Sequence, residues 1–99
     1  MLSKEEIQKV ISAYFANKPV LRAYLFGSYA RGEATDESDV DVLVELDYAN
    51  GGADFGNYLQ MMDDLTDRFG RKVDLVSANG LSKFIAPYIH KDKLLLYER

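Results

Sequence analysis

Two stretches with helical spacing of apolar residues constrain the fold of this chain more than any other feature of its sequence. In the first, Ser3 and Glu6 match a capping box, and apolar residues recur at helical spacing over 7–15. In the second, one apolar face runs over 55–69, and Gly70 stands where a C-terminal cap belongs. A helix with a single apolar face must bury that face against another element. The sequence therefore predicts a layered fold in which both helices cover a second layer.

The second layer is predicted to be a β-sheet of about four strands. Short runs rich in β-branched, aromatic and other apolar residues, typical of strands, occur at 20–26, 39–46, 72–76 and 94–97. Apolar residues over 81–89 suggest a further helix, which Pro87 either opens or interrupts. We therefore expect an α/β (α+β) fold with two layers, in which helices cover a mixed sheet.

Length and composition favour one small globular domain that spans residues 1–99. The 99 residues leave too little chain for a second hydrophobic core, and the absence of cysteine excludes disulfides, thiolate zinc sites and cysteine nucleophiles. The net charge of −4 has the wrong sign for a domain that grips a nucleic-acid backbone. No apolar run approaches the roughly 18 residues of a membrane span, and the N-terminus is charged where a signal peptide is apolar. We expect a cytoplasmic protein that binds neither membranes nor nucleic acid directly.

The candidate chemistry lies in one spaced motif, which is Gly27-Ser28, ten residues, and then Asp39-x-Asp41. The glycine ends the first predicted strand and the two aspartates begin the second, where alternation points both carboxylates to one face. Asp74 lies in the third predicted strand and can join them if the strands share a sheet. Taken singly, Gly27-Ser28 is a turn that caps the next helix, and each aspartate is a solvated strand residue. Their joint occurrence favours a functional site.

Converging carboxylates need a cation, because two unit charges about 5 Å apart repel by roughly 3 kcal/mol at an effective dielectric near 20. Oxygen-only ligands select hard ions, so we expect Mg²⁺, with two ions bound and Mn²⁺ as a substitute. Gly27 allows close approach of a phosphate, and the Ser28 hydroxyl can donate to the β- and γ-phosphates of a nucleotide. Arg31 is placed either to add positive charge near the triphosphate or to hold the 36–37 loop.

The motif and the segments around it resemble those of a known family. The segments 25–32 and 38–44 contain the Gly-Ser, ten residues, Asp-x-Asp pattern of the DNA polymerase beta superfamily of nucleotidyltransferases. The likeness is greatest to its minimal nucleotidyltransferases (MNT), which are single-domain proteins commonly paired with a helical HEPN partner. It extends over nearly the whole chain, including 72–76, where the family places its third carboxylate.

The resemblance implies roles for particular residues. Gly27 and Ser28 would bind the triphosphate of ATP or another NTP, and Asp39 and Asp41 would coordinate metal. Asp74 would hold the metal that activates the acceptor hydroxyl. The resemblance also implies an antitoxin that transfers AMP to a tyrosine of its HEPN ribonuclease toxin and silences it.

Two other functions remain open at this level. One is a non-catalytic nucleotide-binding antitoxin that blocks its partner by occlusion, and the other is a homodimeric nucleotidyltransferase for small molecules. His90 receives no role, because a single histidine late in a helix is more often a surface or capping group. The apolar side chains of Phe84, Ile85, Tyr88 and Ile89 are equally compatible with the core and with a partner-docking face.

Overall fold

A computed structural model describes residues 2–51 and 54–99 and contains one four-stranded mixed sheet. The strands are β1 (Val20–Phe26), β2 (Val40–Leu46), β3 (Val73–Ser77) and β4 (Leu94–Glu98), in the spatial order β3-β2-β1-β4. β1 is antiparallel to β2 and to β4, whereas β2 and β3 are parallel. The predicted α/β fold with a mixed sheet is confirmed, with strand bounds that differ by at most one residue at either end.

The two predicted amphipathic helices are α1 (Lys4–Phe15) and α3 (Phe55–Phe69). The capping box is present at α1, since Ser3 Oγ accepts from the Glu6 backbone N–H and Glu6 Oε1 accepts from the Ser3 N–H, both at 3.1 Å. Gly70 ends α3 in the left-handed conformation with φ +67°. Within residues 2–51 and 54–99, no helix is long and apolar enough to cross a membrane.

The hydrophobic core lies between one face of the sheet and these two helices. Side chains of α1 and α3 pack with alternate residues of the central strands, which include Val40, Val42 and Val44. The alternate residues Asp41, Leu43 and Glu45 therefore point to the opposite face of the sheet. The predicted catalytic aspartates thus lie on the face that α1 and α3 leave uncovered.

A short helix, α4 (Ala86–Asp92), lies on that opposite face, beside β1. Pro87 occupies its first turn, so this proline opens the helix, which begins five residues later than the apolar pattern over 81–89 suggests. The Lys93 ammonium lies over the Tyr24 ring, 4.5 Å from its centroid, and Tyr24 is the register partner of Leu43. α4 therefore borders the face that carries Asp41.

We expect Tyr14→Phe to lower the free energy of unfolding by about 1–2 kcal/mol, because a buried hydroxyl loses a hydrogen bond to a charged acceptor. The Tyr14 hydroxyl donates to Asp64 Oδ2 at 2.5 Å and joins α1 to α3. Burial, followed by that carboxylate, raises the pKa of Tyr14. Urea denaturation measures the difference, with the exposed Tyr48→Phe as control. Equal midpoints for the two variants would contradict the assigned role of this bond.

Candidate active site

The turn between β1 and α2 (Gly27–Arg31) brings backbone directly against a carboxylate. Gly27 has φ +74°, a conformation that favours glycine. A Cβ built on it would lie 2.2 Å from Asp41 Oδ2 and 3.1 Å from Asp41 Cγ, so no side chain fits there without displacing Asp41. Gly27 follows the last residue of β1, as predicted, and its missing side chain creates the space that the Asp41 carboxylate occupies.

Strand register aligns the predicted aspartates. Asp41 is the partner of Phe26 in the antiparallel pair of β1 and β2, and the partner of Asp74 in the parallel pair of β2 and β3. Residues paired across neighbouring strands share a face, so Asp41 and Asp74 both point away from the main core. Asp39 lies two positions before Asp41, just outside β2. The three residues are therefore grouped at one end of the sheet.

Electrostatic interactions connect these three acids. Burial, followed by repulsion from Asp74 and Asp39, raises the pKa of Asp41 from 3.8 to about 6. Arg31 and Lys72 oppose this rise without cancelling it. The Asp41 carboxylate therefore lies in a negative field that the neighbouring cations do not neutralise.

The donor chemistry at this site fits a hard divalent cation. In the part of the chain that the structure describes, no three His, Cys, Asp or Glu side chains are already grouped as a metal-binding cluster. However, the acids that raise the pKa of Asp41 offer only carboxylate oxygens, and their mutual repulsion is what a bound Mg²⁺ relieves. Asp39, Asp41 and Asp74 are thus chemically suitable ligands, and their assignment to metal stays a prediction.

Arg31 links two helices. Its guanidinium pairs with Glu33 at 3.2 Å and with Asp92 of α4 at 3.1 Å. The loop that follows, 32–38, is held by Arg71, which donates to the backbone oxygens of Asp36 at 3.1 Å and Ser38 at 3.4 Å. The structure thus adds a third role to the two predicted for Arg31, namely a bridge from α2 to α4. Its role in nucleotide binding remains a prediction.

Two residues near the site have no role in the sequence interpretation. Lys72 Nζ lies 3.8 Å from Asp39 Oδ2, and Tyr58 donates a hydrogen bond to the Leu75 carbonyl oxygen on β3. Burial and then the nearby Asp74 raise the pKa of Tyr58. Lys72 could have been found from its spacing, because a residue two positions before Asp74 points to the same face of the strand. Tyr58 has no comparable signal, because a helical tyrosine beside apolar residues reads as core packing.

The apolar residues around α4 divide between the core and the surface. Ile89 is buried, whereas Phe84, Ile85 and Tyr88 are exposed. His90 is exposed as well. Of the two possibilities left open by the sequence, core packing thus applies to Ile89. The other three apolar side chains lie on a solvent-exposed surface.

Comparison with known proteins supports this architecture. A family model described as polymerase beta, nucleotidyltransferase, matches residues 5–99. The protein adenylyltransferase MntA of Thermococcus cleftensis is 33% identical over 99 aligned residues, which cover 93% of this chain and 94% of MntA. A candidate protein adenylyltransferase of Methanocaldococcus jannaschii is 45% identical over 67 residues, or 68% of this chain. The aligned segment spans 63% of that relative's length and 62% of a second from the same organism.

Solved structures give the same result for the fold. A candidate minimal nucleotidyltransferase is 26% identical, with a TM-score of 0.77 and coverage of 94% of this chain and 95% of that protein. A complex of a tri-AMPylated Shewanella oneidensis HEPN toxin with an MNT antitoxin gives a TM-score of 0.62 at 19% identity, covering 93% of this chain and 73% of the matched chain. With the family match over 5–99, these findings establish that the chain belongs to the polymerase beta family of nucleotidyltransferases and has the minimal nucleotidyltransferase fold.

Proposed function

We propose that this protein is an antitoxin that transfers AMP from ATP to a tyrosine hydroxyl of a partner HEPN toxin. The observation that carries the proposal is the pairing of Asp41 with Asp74 beside the side-chain-free surface of Gly27. The relative MntA is named a protein adenylyltransferase, and the Shewanella oneidensis structure contains an AMPylated HEPN toxin with MNT antitoxin. Dependence on Mg²⁺ and a cytoplasmic location belong to the same proposal.

The residues divide the reaction between them. The backbone N–H groups of the turn at Gly27 and the Ser28 hydroxyl donate to the phosphate oxygens of the triphosphate. Asp39, Asp41 and Asp74 would hold Mg²⁺, which when bound supplies positive charge to the phosphate oxygens. The acceptor oxygen forms a bond to the α-phosphorus while the bond from that phosphorus to the bridging oxygen breaks. Pyrophosphate leaves, and the Asp74 carboxylate takes up the proton of the acceptor hydroxyl.

The proposal is tested by following the label of ATP. Purified protein is incubated with Mg²⁺ and a HEPN toxin, using ATP labelled at either the α- or the γ-phosphate. We expect label on the toxin from the α-position only, at a tyrosine, with loss of the toxin's ribonuclease activity and no transfer in EDTA. Inhibition of the toxin without label supports occlusion, and label on a metabolite without any protein acceptor supports the small-molecule enzyme.

We expect Asp74→Asn to separate nucleotide binding from transfer. Loss of a group that assists proton removal costs about 100-fold or more in rate, while contacts with the triphosphate at Gly27 persist. Single-turnover labelling of the toxin measures the rate, and calorimetry measures ATP affinity. The exposed Asp63→Asn on α3 is the control. An unchanged transfer rate in Asp74→Asn would remove Asp74 from the mechanism.

A further inference from the structure

A cleft of about 260 Å³ opens beside the β1–α2 turn, on the face of the sheet that carries Asp41. It is lined by Phe26, Gly27, Arg31, Tyr88, Ile89 and Asp92. Gly27 belongs to this cleft and also contacts Asp41. A molecule that fills the cleft therefore lies next to the reacting end of the nucleotide proposed above.

The lining favours a flat, uncharged group over a phosphate chain. Among the described residues that line it, the charged side chains are Arg31 and Asp92, which pair at 3.1 Å, and Arg31 also pairs with Glu33. A polyphosphate would meet no net positive charge there. Aromatic and aliphatic surface from Phe26, Tyr88 and Ile89 makes up the rest of the lining.

Tyr88 is the residue whose placement needs an explanation. Its side chain is 74% exposed although it lines the cleft, while its neighbour Ile89 is buried and anchors α4. An exposed tyrosine ring offers a face on which a nucleobase can stack, and such stacking contributes about 1–3 kcal/mol per base. The Arg31–Asp92 pair fixes α4 against α2, so the distance between Tyr88 and the Gly27 turn is set before any ligand arrives.

We propose that this cleft binds the purine base of the nucleotide, stacked on Tyr88, with Arg31 as a positioning residue that holds α4 in place. The Asp92 carboxylate can accept from more than one donor, so beside its bond to Arg31 it can also accept from a base. This favours a base with an exocyclic amino group over one with a carbonyl oxygen at that position. The inference rests on the proposed function, since it assigns the base end of the same substrate.

The test measures binding to the protein alone, without a toxin or turnover. Calorimetry with Mg²⁺ compares ATP, ITP and inorganic tripolyphosphate for wild type, Tyr88→Ala, Tyr88→Phe and Phe84→Ala. Phe84 is a matched control, because it is an exposed aromatic residue near α4 that does not line this cleft. We expect Tyr88→Ala to weaken ATP binding about 10-fold and Tyr88→Phe about twofold or less, as stacking energies predict. Phe84→Ala and the affinity for tripolyphosphate should remain at wild-type values, and wild type should bind ATP more tightly than ITP.

Each other outcome overturns the inference in a distinguishable way. Equal ATP affinity in Tyr88→Ala and wild type would show that the base does not bind in the cleft. Equal affinity of wild type for ATP and ITP would show that Asp92 does not select the base. A parallel loss of ATP and tripolyphosphate means that Tyr88 acts only on the fold, which thermal melting of Tyr88→Ala and Tyr88→Phe checks. Unchanged ATP binding in Tyr88→Ala, together with weaker binding of this variant to a HEPN toxin in a separate pull-down assay, makes the surface a protein-docking site. If wild type binds no ATP, the proposed function fails together with this inference.

Discussion

Gly27→Ala is expected to lower the rate of AMP transfer by about 100-fold or more, because a misplacement of about 1 Å at a reacting centre has effects of that size. The new Cβ would meet Asp41 Oδ2 at 2.2 Å and Asp41 Cγ at 3.1 Å. Rotation of the carboxylate alone does not relieve both contacts, so Asp41 or the turn must move. The positive φ of residue 27 adds about 1–2 kcal/mol of backbone strain.

Gly32→Ala provides a matched control for the Gly27 substitution. Gly32 has the same φ of +74°, but a Cβ built there has no atom within 4 Å. Both variants therefore carry the backbone strain, and only Gly27→Ala carries the collision with Asp41. We expect Gly32→Ala to lose about 1–2 kcal/mol of stability and to keep its transfer rate. Single-turnover labelling and urea denaturation measure the two quantities, and equal transfer rates in the two variants would show that the contact with Asp41 is unimportant.

Asp41→Asn is expected to reduce transfer by about 1,000-fold or more, since loss of a metal-binding carboxylate removes several kcal/mol of stabilisation from the transferred phosphoryl group. Asp39→Asn should have the same direction of effect. Asp67→Asn on α3 is an exposed aspartate outside the site and serves as the control. Retention of transfer in both Asp39→Asn and Asp41→Asn would contradict the assignment of these carboxylates to metal.

The same Asp41→Asn change is expected to increase stability in the absence of divalent cations. Burial and repulsion by Asp74 and Asp39 raise the pKa of Asp41 from 3.8 to about 6. The folded state therefore holds its proton to higher pH than the unfolded chain, and stability falls as pH rises from about 4 to 6. At pH 7.5 the ionised carboxylate carries the full penalty, so the neutral amide should gain about 1 kcal/mol, after allowance for solvent screening of a partly exposed group.

Thermal denaturation in EDTA over pH 3.5 to 8 tests this sign. The melting temperature of Asp41→Asn should exceed that of wild type above about pH 6 and converge with it near pH 4. Addition of Mg²⁺ should stabilise wild type and leave Asp41→Asn largely unchanged. A variant less stable than wild type at pH 7.5 in EDTA would contradict the unfavourable burial and repulsion of the ionised Asp41 carboxylate.

Much of this architecture follows from local sequence patterns. The capping box at Ser3 marks the start of α1, and Gly70 marks the end of α3. Both can be recognised locally, because the unpaired backbone groups at a helix end are satisfied by residues next to it in the chain. The alternation over 40–46 places Val42 in the core and Asp41 on the other face, because the side-chain period of a strand is two. The Gly-Ser and Asp-x-Asp spacing also indicates the family from local sequence, because its turn and its strand are close together in the chain.

Other features depend on contacts between residues that are far apart in the chain. The pairing of Asp41 with Asp74, the closeness of Gly27 to Asp41 and the exposure of Tyr88 each require the strand order and the position of α4. Arg31 illustrates the limit, because its bond to Asp92 crosses 61 positions of sequence and no local pattern indicates it. The sequence by itself determined the two long helices, the strands and the kind of chemistry, because short-range periodicity and residue type carry that information. Only the tertiary structure decided which carboxylates face each other and where a cleft opens, because register and packing are set by the whole sheet.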